Sequence, residues 1–404
     1  MLYSVALIFL VGLSLGFAFT KAKLPGLLGM LITGLVLGPY GLNVIDASVL
    51  AISAELRQIA LVIILARAGL SLKVHDLLKV GRPAVLMCFV PACFEIAAMV
   101  WFAPRLLGIT TLEAAIMGSV VAAVSPAVVV PRMLKLMEES YGSDKSIPQL
   151  IMAGASVDDV FVIVLFSSFI SFAHGGEVSL LLLGTVPIAI ALGIAGGMVI
   201  GTAFSLLFRK VQVRDTAKVL IVLSTSFLLL VAEKALEQHV PFSGLLAVMA
   251  VGVTLLRLQP HTARTLSAQF SELWTGAEVL LYVLVGATVD MRFAFAAGNQ
   301  VLLLLSCGLL FRMLGVGVCM LKTTLTAKER LFCMVAYIPK ATVQAAIGGI
   351  PLALGLECGS IVLTVAVLSI LITAPLGAFG VDMTYKRWLQ PDSLRNNSAL
   401  QPTD

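Results

Sequence analysis

The chain has 404 residues, of which 59% are hydrophobic and only 12% are charged, and its mean hydropathy is +1.05. This composition excludes an ordinary soluble domain, because too few polar residues remain to cover a surface in water. The formal net charge of +5 would suit an acidic partner, but the basic residues are concentrated in alternate connecting loops. Membrane orientation explains that distribution, so no nucleic-acid partner is expected.

Apolar stretches of about 20 residues, the length of helix that crosses ~30 Å of hydrocarbon, recur along the chain. They predict an all-α polytopic membrane protein, since the strands of a membrane barrel would alternate apolar and polar residues. The first stretch, up to Thr20, has no basic region before it and is predicted to be a retained first span. We count about 13 spans, centred near residues 10, 33, 61, 93, 124, 160, 193, 225, 248, 280, 310, 340 and 370.

Basic residues mark one side of the membrane. Most of the 27 lysines and arginines lie in every second loop, for example Lys21 and Lys23 after span 1 and Arg209 and Lys210 after span 7. By the positive-inside rule the N-terminus is outside and the C-terminus is cytoplasmic, in a protein of the cell (inner) membrane. Residues 389–404 are predicted to be a short cytoplasmic tail, with no room for a nucleotide-binding domain.

The two halves of the sequence resemble each other at a nearly constant spacing. Residues 24–30 (LPGLLGM) are echoed by residues 240–246 (VPFSGLL), about 216 positions later. Residues 68–72 (AGLSL) are echoed by residues 285–289 (VGATV) at nearly the same offset. Each match is weak by itself, but the constant spacing indicates an internal repeat.

The repeat carries five consecutive spans onto five others that enter the membrane from the opposite side. It therefore predicts two inverted repeats of five to six helices, at about residues 24–173 and 240–388, joined by a linker span at about 178–208. Residues 1–388 would form a single transmembrane domain. Transporters are commonly built in this way, with the binding site near the midplane where discontinuous helices meet.

Prolines occupy matching positions in the two repeats. Pro126 and Pro339 lie about halfway along spans 5 and 12, where each removes a backbone hydrogen bond at membrane depth. One such proline could be a simple kink. Two at matching positions, one of them followed directly by Lys340, predict crossed and discontinuous helices whose free carbonyl groups can coordinate a hard cation.

Five ionisable residues fall near the middle of predicted spans: Glu95, Asp158, Asp159, Arg312 and Lys340. Each costs about 2.5–3.5 kcal/mol at a helix centre, so the five must find partners or water. Glu95 and Arg312 are related by the repeat offset and have opposite charges. They are predicted to form a structural ion pair, in which exchanging the two charges would restore part of the stability lost on neutralising either one.

Asp158 and Asp159 are adjacent, and neighbours on a helix point about 100° apart. They cannot share one basic partner face to face, so one carboxylate should be left over. A leftover carboxylate in a water-filled cavity can bind a small monovalent cation such as Na⁺ or Li⁺ when ionised, and a proton when neutral. Mutually exclusive occupancy of this kind is the minimum chemistry of an antiporter.

These residues resemble a known family. The motif Ser156–Asp159 (SVDD), the paired prolines and the run Ile338–Gly348 (IPKATVQAAIG) are similar to the sodium/proton antiporters of the monovalent cation:proton antiporter superfamily. The proline-lysine run resembles the branch that contains the animal sodium/hydrogen exchanger-like proteins. Residues 66–70 and 124–131 fit that branch too, so the resemblance covers most of the chain.

The resemblance implies a homodimer in which a core of six helices moves by an elevator-like shift. It also implies that Asp159 carries the ion, while Asp158 pairs with Arg312 or Lys340. Family members with two aspartates often have a lysine at the position of Arg312. Arginine keeps its proton at any workable pH, which puts an electrogenic two-proton stoichiometry in doubt. The residues expected to support the ion site are Lys340, Ser125, Ser156 and Thr342.

Other functions fit the sequence less well. Intramembrane aspartyl proteases place their aspartates on different helices, one of them in a Gly-x-Gly-Asp motif that this sequence lacks, so no enzyme activity is expected. The alternative is a passive cation channel or the membrane module of a potassium efflux system. No cofactor is expected beyond the transported Na⁺ or Li⁺ and H⁺.

Overall fold

The computed structural model describes residues 1–71, 81–173, 185–211, 213–236, 240, 242–289 and 298–391. Within these ranges the regular structure is entirely helical, apart from one isolated antiparallel bridge between Tyr141 and Pro391. The prediction of an all-α protein is confirmed. In chain order the helices are α1 (Leu2–Lys21), α2 (Gly26–Leu37), α3 (Ala47–Ala51), α4 (Ser53–Ser71), α5 (Arg82–Met87), α6 (Val90–Leu107), α7 (Thr111–Val121), α8 (Pro126–Glu138), α9 (Ile147–Ala173), α10 (Thr185–Lys210), α11 (Asp215–Leu236), α12 (Gly244–Leu258), α13 (Pro260–Ala287), α14 (Gly298–Cys319), α15 (Ala327–Ala336), α16 (Thr342–Ile347), α17 (Ile350–Ala353) and α18 (Gly359–Trp388).

Many of these helices have the length and composition of membrane spans. Three shorter apolar helical segments lie at Gly26–Leu37, Gly244–Leu258 and Thr342–Ala353. The chain is therefore a multi-pass membrane protein, while the count of thirteen crossings stays a prediction. Nine helical segments in the described ranges are long and apolar enough to cross a bilayer: Leu2–Lys21, Arg82–Leu107, Thr111–Glu138, Ile147–Ala173, Ile188–Lys210, Asp215–Glu233, Pro260–Ala287, Gly298–Cys319 and Gly359–Trp388.

The chain divides into two compact units. The first consists of Met1–Ser14, Met30–Lys73 and Ser167–Thr288. Within it α4 packs against α12 and α13, and α10 packs against α12. The contact between α4 and α12 is a backbone contact at Gly69, where a Cβ atom would lie 2.4 Å from the carbonyl oxygen of Met249. Only glycine allows so close an approach.

The start of the first unit is fixed by Asp46, the N-cap of α3. Its carboxylate accepts a hydrogen bond from the backbone N–H of Ser48 at 2.8 Å and an ion pair from the ammonium group of Met1 at 3.3 Å. These interactions, led by the hydrogen bonds from Ser48, lower the pKa of Asp46 to about 2. The cap therefore stays charged throughout the physiological pH range.

The second unit consists of Leu15–Gly29, Val74–Phe166 and Val289–Asp404, and it contains every predicted site residue. Its α6 packs against α7 and α14, and α18 packs against α7, α8 and α15. The last described segment is packed in this unit, since Leu389 is buried and Pro391 pairs with Tyr141. Residues 392–404 of the predicted tail lie outside the described residues.

Helices α7 and α15 of the second unit begin with the same device. Thr110 and Glu113 form a capping box, in which the glutamate accepts from the threonine N–H at 2.8 Å and the threonine hydroxyl accepts from the glutamate N–H at 3.3 Å. Thr326 and Glu329 repeat the arrangement at 2.7 and 3.3 Å. Each box satisfies two of the free N–H groups at a helix start. Each of these helices then runs inward to one of the predicted breaks.

Candidate functional site

Both predicted helix breaks are present. Helix α7 ends at Val121 and α8 begins at Pro126, while α15 ends at Ala336 and α16 begins at Thr342. Proline supports each break because it has no N–H to continue the helical ladder. The two breaks contact each other directly. The backbone N–H of Ser125 donates to the carbonyl oxygen of Pro339 at 2.8 Å.

The predicted hydroxyl groups meet at the same point. The Oγ atom of Ser125 lies 3.3 Å from the Oγ1 atom of Thr342, and both residues are buried. The structure therefore brings together two of the three predicted supporting hydroxyls. The third, on Ser156, belongs to a side chain outside the described residues.

Arg312 of α14 is the centre of the buried charges and is 1% exposed. Its Nη1 atom lies 3.1 Å from Oε2 of Glu95, and its Nη2 atom lies 2.8 Å from Oδ2 of Asp158. The guanidinium group also donates to the carbonyl oxygen of Ala122 and, through Nε, to that of Tyr337 at 2.9 Å. One arginine thus contacts two carboxylates and both helix breaks, a geometry that its planar fork of five donors allows.

Lys340 provides the second buried cation. Its Nζ atom lies 2.7 Å from Oε1 of Glu95 and donates to the carbonyl oxygen of Val121 at 2.6 Å. Its backbone N–H donates to Oγ1 of Thr373 in α18 at 3.0 Å. Carbonyl groups at a helix C-terminus carry a partial negative charge. The ammonium group therefore lies where it can balance both Glu95 and the end of α7.

Asp158 is fully buried and is held at the start of α8. Its Oδ2 atom accepts from the backbone N–H of Val124 at 2.9 Å, in addition to the ion pair with Arg312. Of the two possible basic partners left open by the sequence, it is thus Arg312 that contacts Asp158. The N-terminus of a helix favours a negative charge, so α8 itself helps to stabilise this carboxylate.

Asp159 differs from its neighbour. Among the described side chains it forms no ion pair, and its Oδ1 atom is buried without a hydrogen-bond partner. The two cations Arg312 and Lys340 balance the two carboxylates Glu95 and Asp158. Within the part of the chain that the structure describes, Asp159 is therefore the one carboxylate of the cluster without a matching cation.

Sequence reasoning missed three polar groups of the site. Gln344 is completely buried and bonds to both breaks, Thr373 holds the backbone of Lys340, and the ring of Tyr337 lies 5.4 Å below the guanidinium group of Arg312. Being neutral, these side chains do not stand out in an apolar span. Gln344 could have been found from its place directly after the second break, because a polar side chain there can bond to backbone groups that the interrupted helices leave free.

Tyr337 also explains a glycine in α9. Gly154 lies one helical turn before Asp158, and a Cβ atom there would lie 2.1 Å from the hydroxyl oxygen of Tyr337 and 2.8 Å from Cβ of Met87. The absence of a side chain at Gly154 therefore makes room for the tyrosine that supports Arg312.

A further charge near the middle of a helix escaped the sequence count. Glu278 lies half-buried in α13 of the first unit. Arg67 lies in α4, which packs against α13. This carboxylate belongs to the first unit and not to the cluster around Arg312.

Known proteins resemble this chain along most of its length. Residues 5–386 match the family described as "Sodium/hydrogen exchanger, transmembrane". The chain is 33% identical to sodium/hydrogen exchanger 9B2 of Mus musculus over 399 residues, which cover 95% of this chain and 72% of that protein. It is 32% identical to sodium/hydrogen exchanger 9B1 of Homo sapiens over 375 residues, 88% of this chain and 70% of that protein.

A solved structure shares the fold. The sodium proton antiporter MjNhaP1 from Methanocaldococcus jannaschii, at pH 8, superposes with a TM-score of 0.83. The superposition covers 95% of this chain and 97% of that chain at 19% sequence identity. At this identity the likeness concerns the fold alone.

Proposed function

Because this chain belongs to the sodium/hydrogen exchanger family, we propose that it is a secondary active transporter that exchanges Na⁺ or Li⁺ for H⁺. Exchange takes place by alternating access, through an elevator-like movement of the helices that carry the site. Asp159 binds the transported cation or the proton. Asp158 is its neighbour and offers a carboxylate oxygen to the cation. The protein needs no cofactor for this activity, because the cation and the proton are its substrates.

The balance of charges in the site is the observation that carries the proposal. Glu95 and Asp158 are each matched by a buried cation within 2.8 Å, whereas no described side chain matches Asp159 in this way. A carboxylate that has no fixed counter-charge in a low-dielectric site needs a mobile one. Na⁺ and H⁺ can each supply that charge, and only one of them can do so at a time. Coupled exchange follows from this competition.

Hard oxygen ligands accompany the proposed carrier. Sodium is a hard cation and, like other hard cations, favours carboxylate, hydroxyl and carbonyl oxygen. Oδ1 of Asp158 is buried without a hydrogen-bond partner, and the hydroxyls of Ser125 and Thr342 meet at the breaks. We assign these oxygens, with Asp159, to the transported cation. No group of three or more His, Cys, Asp or Glu side chains suited to a tightly bound metal occurs in the described residues. A site with few charged ligands binds a cation weakly enough for the cation to be released after transport.

Inverted repeats with crossed, discontinuous helices are the architecture we propose for this activity. The contact between the breaks supports it, since Ser125 and Thr342 are separated by 217 residues, the offset found in the sequence. The two capping boxes support it further, because Thr110 and Thr326 stand at nearly the same offset. We propose that residues 1–388 form one functional membrane domain, with inverted repeats at about 24–173 and 240–388.

We further propose a homodimer in the cell membrane, with the N-terminus outside and the C-terminus in the cytoplasm. The dimer rests on the family resemblance. The orientation rests on the basic loops. Cysteine accessibility to a membrane-impermeant reagent, with single cysteines introduced at Asn43 and Lys210, would report the two sides. Labelling of both from the same side would contradict the orientation.

Transport in proteoliposomes tests the function. The purified protein is reconstituted, a pH gradient is imposed, and Na⁺, Li⁺ and K⁺ are added in turn while a dye reports the internal pH. An antiporter moves protons only when its cation is present, whereas a passive channel moves the cation without a linked pH change. Asp159→Asn should abolish the response. Asp382→Asn is the matched control, because this aspartate pairs with Arg132 at 3.5 Å outside the charge cluster.

A further inference from the structure

Gln344 lies in the first turn of α16 and is 0% exposed. Its Nε2 group donates to the carbonyl oxygens of Val121 at 3.1 Å and Ala123 at 2.9 Å, both at the first break. Its Oε1 atom accepts from the backbone N–H of Ala341 at 2.8 Å, at the second break. One neutral side chain thus uses both donor hydrogens and its acceptor to join the two interrupted helices.

One of these bonds reaches the acidic pair through a single peptide group. The carbonyl of Ala123 and the N–H of Val124 belong to the same planar amide. Gln344 donates to its oxygen at 2.9 Å, and its N–H donates to Oδ2 of Asp158 at 2.9 Å. Because the amide is planar, holding its oxygen also fixes the direction of its N–H. Hydrogen bonds in such a chain also polarise one another.

We propose that Gln344 is a positioning residue for Asp158, which it aligns through the peptide group between Ala123 and Val124. This role rests on the proposed function, because Asp158 matters to transport only if the acidic pair holds the ion. Arg312 and the aligned N–H fix Oδ2 of Asp158 and leave Oδ1 without a hydrogen-bond partner. Without Gln344 the peptide group can turn, and the free carboxylate oxygen is no longer held beside Asp159.

A residue that only packed the crossing would not need these atoms. Methionine has nearly the size of glutamine but can neither donate to Ala123 nor accept from Ala341. Glutamate keeps the length and the acceptor but, when ionised, has no donor and would place a negative charge against two carbonyl oxygens. Both Gln344→Met and Gln344→Glu therefore remove the bond that aligns the peptide group, by different chemistry.

The first arm of the test does not depend on transport. Hydrogen–deuterium exchange of the purified wild-type protein is followed by mass spectrometry over residues 118–126, which include the N–H of Val124. Either Gln344 variant should accelerate exchange in this segment. Thr373→Val is the matched control, since its hydroxyl holds the peptide group of the other break through the N–H of Lys340. It should leave the protection of residues 118–126 unchanged.

The second arm measures Na⁺-driven proton release in proteoliposomes. Gln344→Met should raise the apparent KM for Na⁺ about fivefold, the factor that one ordinary hydrogen bond is worth. The maximal rate should change much less. The rise should be absent when the same substitution is made in an Asp158→Ala background, because the side-chain oxygen that the peptide group aligns is then gone. Should Gln344→Met not fold, Gln344→Glu takes its place in both arms.

The two arms separate the possible failures. Unchanged protection of residues 118–126 in the Gln344 variants would overturn the positioning role whatever the protein transports. A lower maximal rate with an unchanged KM would assign Gln344 to packing alone. So would a rise in KM that is equally large with and without the Asp158 substitution. If the wild-type protein transported no cation against protons, the proposed function would be wrong. Faster hydrogen–deuterium exchange at Val124 in the Gln344 variants would still support the alignment.

Discussion

Neutralising Arg312 should destabilise the protein more than neutralising any other residue of the site. Arg312→Gln leaves Asp158 with the N–H of Val124 as its only described hydrogen-bond donor, whereas Glu95 keeps Lys340. Removing one partner of a buried ion pair costs about 3–5 kcal/mol, because the other charge stays in a low-dielectric site. The loss is larger here than for an exposed pair, since Arg312 and Asp158 are at most 1% exposed.

The backbone adds to this cost. Arg312 also donates to the carbonyl oxygens of Ala122 and Tyr337, which would be left without that donor. A buried acceptor without a partner costs about 1–3 kcal/mol. The ion pair and the two acceptors together give at least about 5 kcal/mol, which corresponds to an unfolding temperature lower by roughly 5 °C or more. Thermal unfolding of the purified protein in detergent, followed by intrinsic fluorescence, measures the shift.

A second substitution identifies the partner. Adding Asp158→Asn to Arg312→Gln removes the uncompensated charge and should recover at least half of the lost stability. Lys145→Gln combined with Asp158→Asn is the control, because Lys145 pairs with Glu329 at 2.8 Å outside the charge cluster, and these two effects should nearly add. If the Arg312 and Asp158 substitutions were also additive, the ion pair at 2.8 Å would contribute nothing and the reasoning would be wrong.

The structure reverses one expectation drawn from the sequence. Taken as an isolated pair, Glu95 and Arg312 are predicted from the sequence to recover part of the lost stability when their charges are exchanged. Glu95 also contacts Lys340, and Arg312 also contacts Asp158. The double substitution Glu95→Arg and Arg312→Glu would place like charges together at both contacts. It should therefore be less stable than either single neutral variant.

Three further substitutions probe separate parts of the site. Asp159→Asn should abolish Na⁺-driven proton release but leave a folded protein, because the amide keeps the shape and cannot ionise. Lys340→Gln should lower the unfolding temperature and move half-maximal exchange to higher pH, since its ammonium group favours ionised carboxylates nearby. Gly154→Ala should cost about 1–3 kcal/mol through overpacking against Tyr337. Gly276→Ala should cost nothing, because its Cβ would meet no atom nearer than 3.9 Å.

Each of these has an outcome that contradicts it. Wild-type exchange by the Asp159→Asn protein would remove that residue from the ion-carrying role. An unchanged or acid-shifted midpoint in Lys340→Gln, with stability intact, would leave its ammonium group without the assigned effect. Equal stability of the two glycine variants would mean that the tyrosine hydroxyl moves aside at no cost; Tyr337→Phe added to Gly154→Ala should otherwise recover stability.

The helix breaks and the buried charges could be predicted because their signals are local. Pro126 and Pro339 interrupt a backbone ladder wherever they occur in a span, and a charge at membrane depth is costly enough to be noticed. The capping boxes at Thr110 and Thr326 were also readable, since the threonine-x-x-glutamate pattern is a helix start signal. The two threonines are 216 residues apart, the offset of the repeat, so they would have strengthened it.

The network of partners was not predictable. The repeat offset paired Glu95 with Arg312, but the second contact of each depends on how four helices are rotated about their axes. Sequence separation does not contain that rotation. Gln344 was missed for another reason, because a neutral amide costs little when its hydrogen bonds are made and so leaves no mark in composition. A residue that holds backbone groups in place, as Gln344 does, can be recognised only when the positions of those groups are known.

The ion pairs of the site join residues that are made at very different times. Asp158 precedes Arg312 by 154 residues and Glu95 precedes Lys340 by 245. At about 5–20 residues per second, ribosomes need roughly 8–30 s to advance from Asp158 to Arg312. During that interval the first half of the chain carries its acidic residues into the bilayer with neither of the cations that later balance them. The nascent protein must keep these carboxylates protonated or hydrated, so the first half cannot complete its own core and waits for the second.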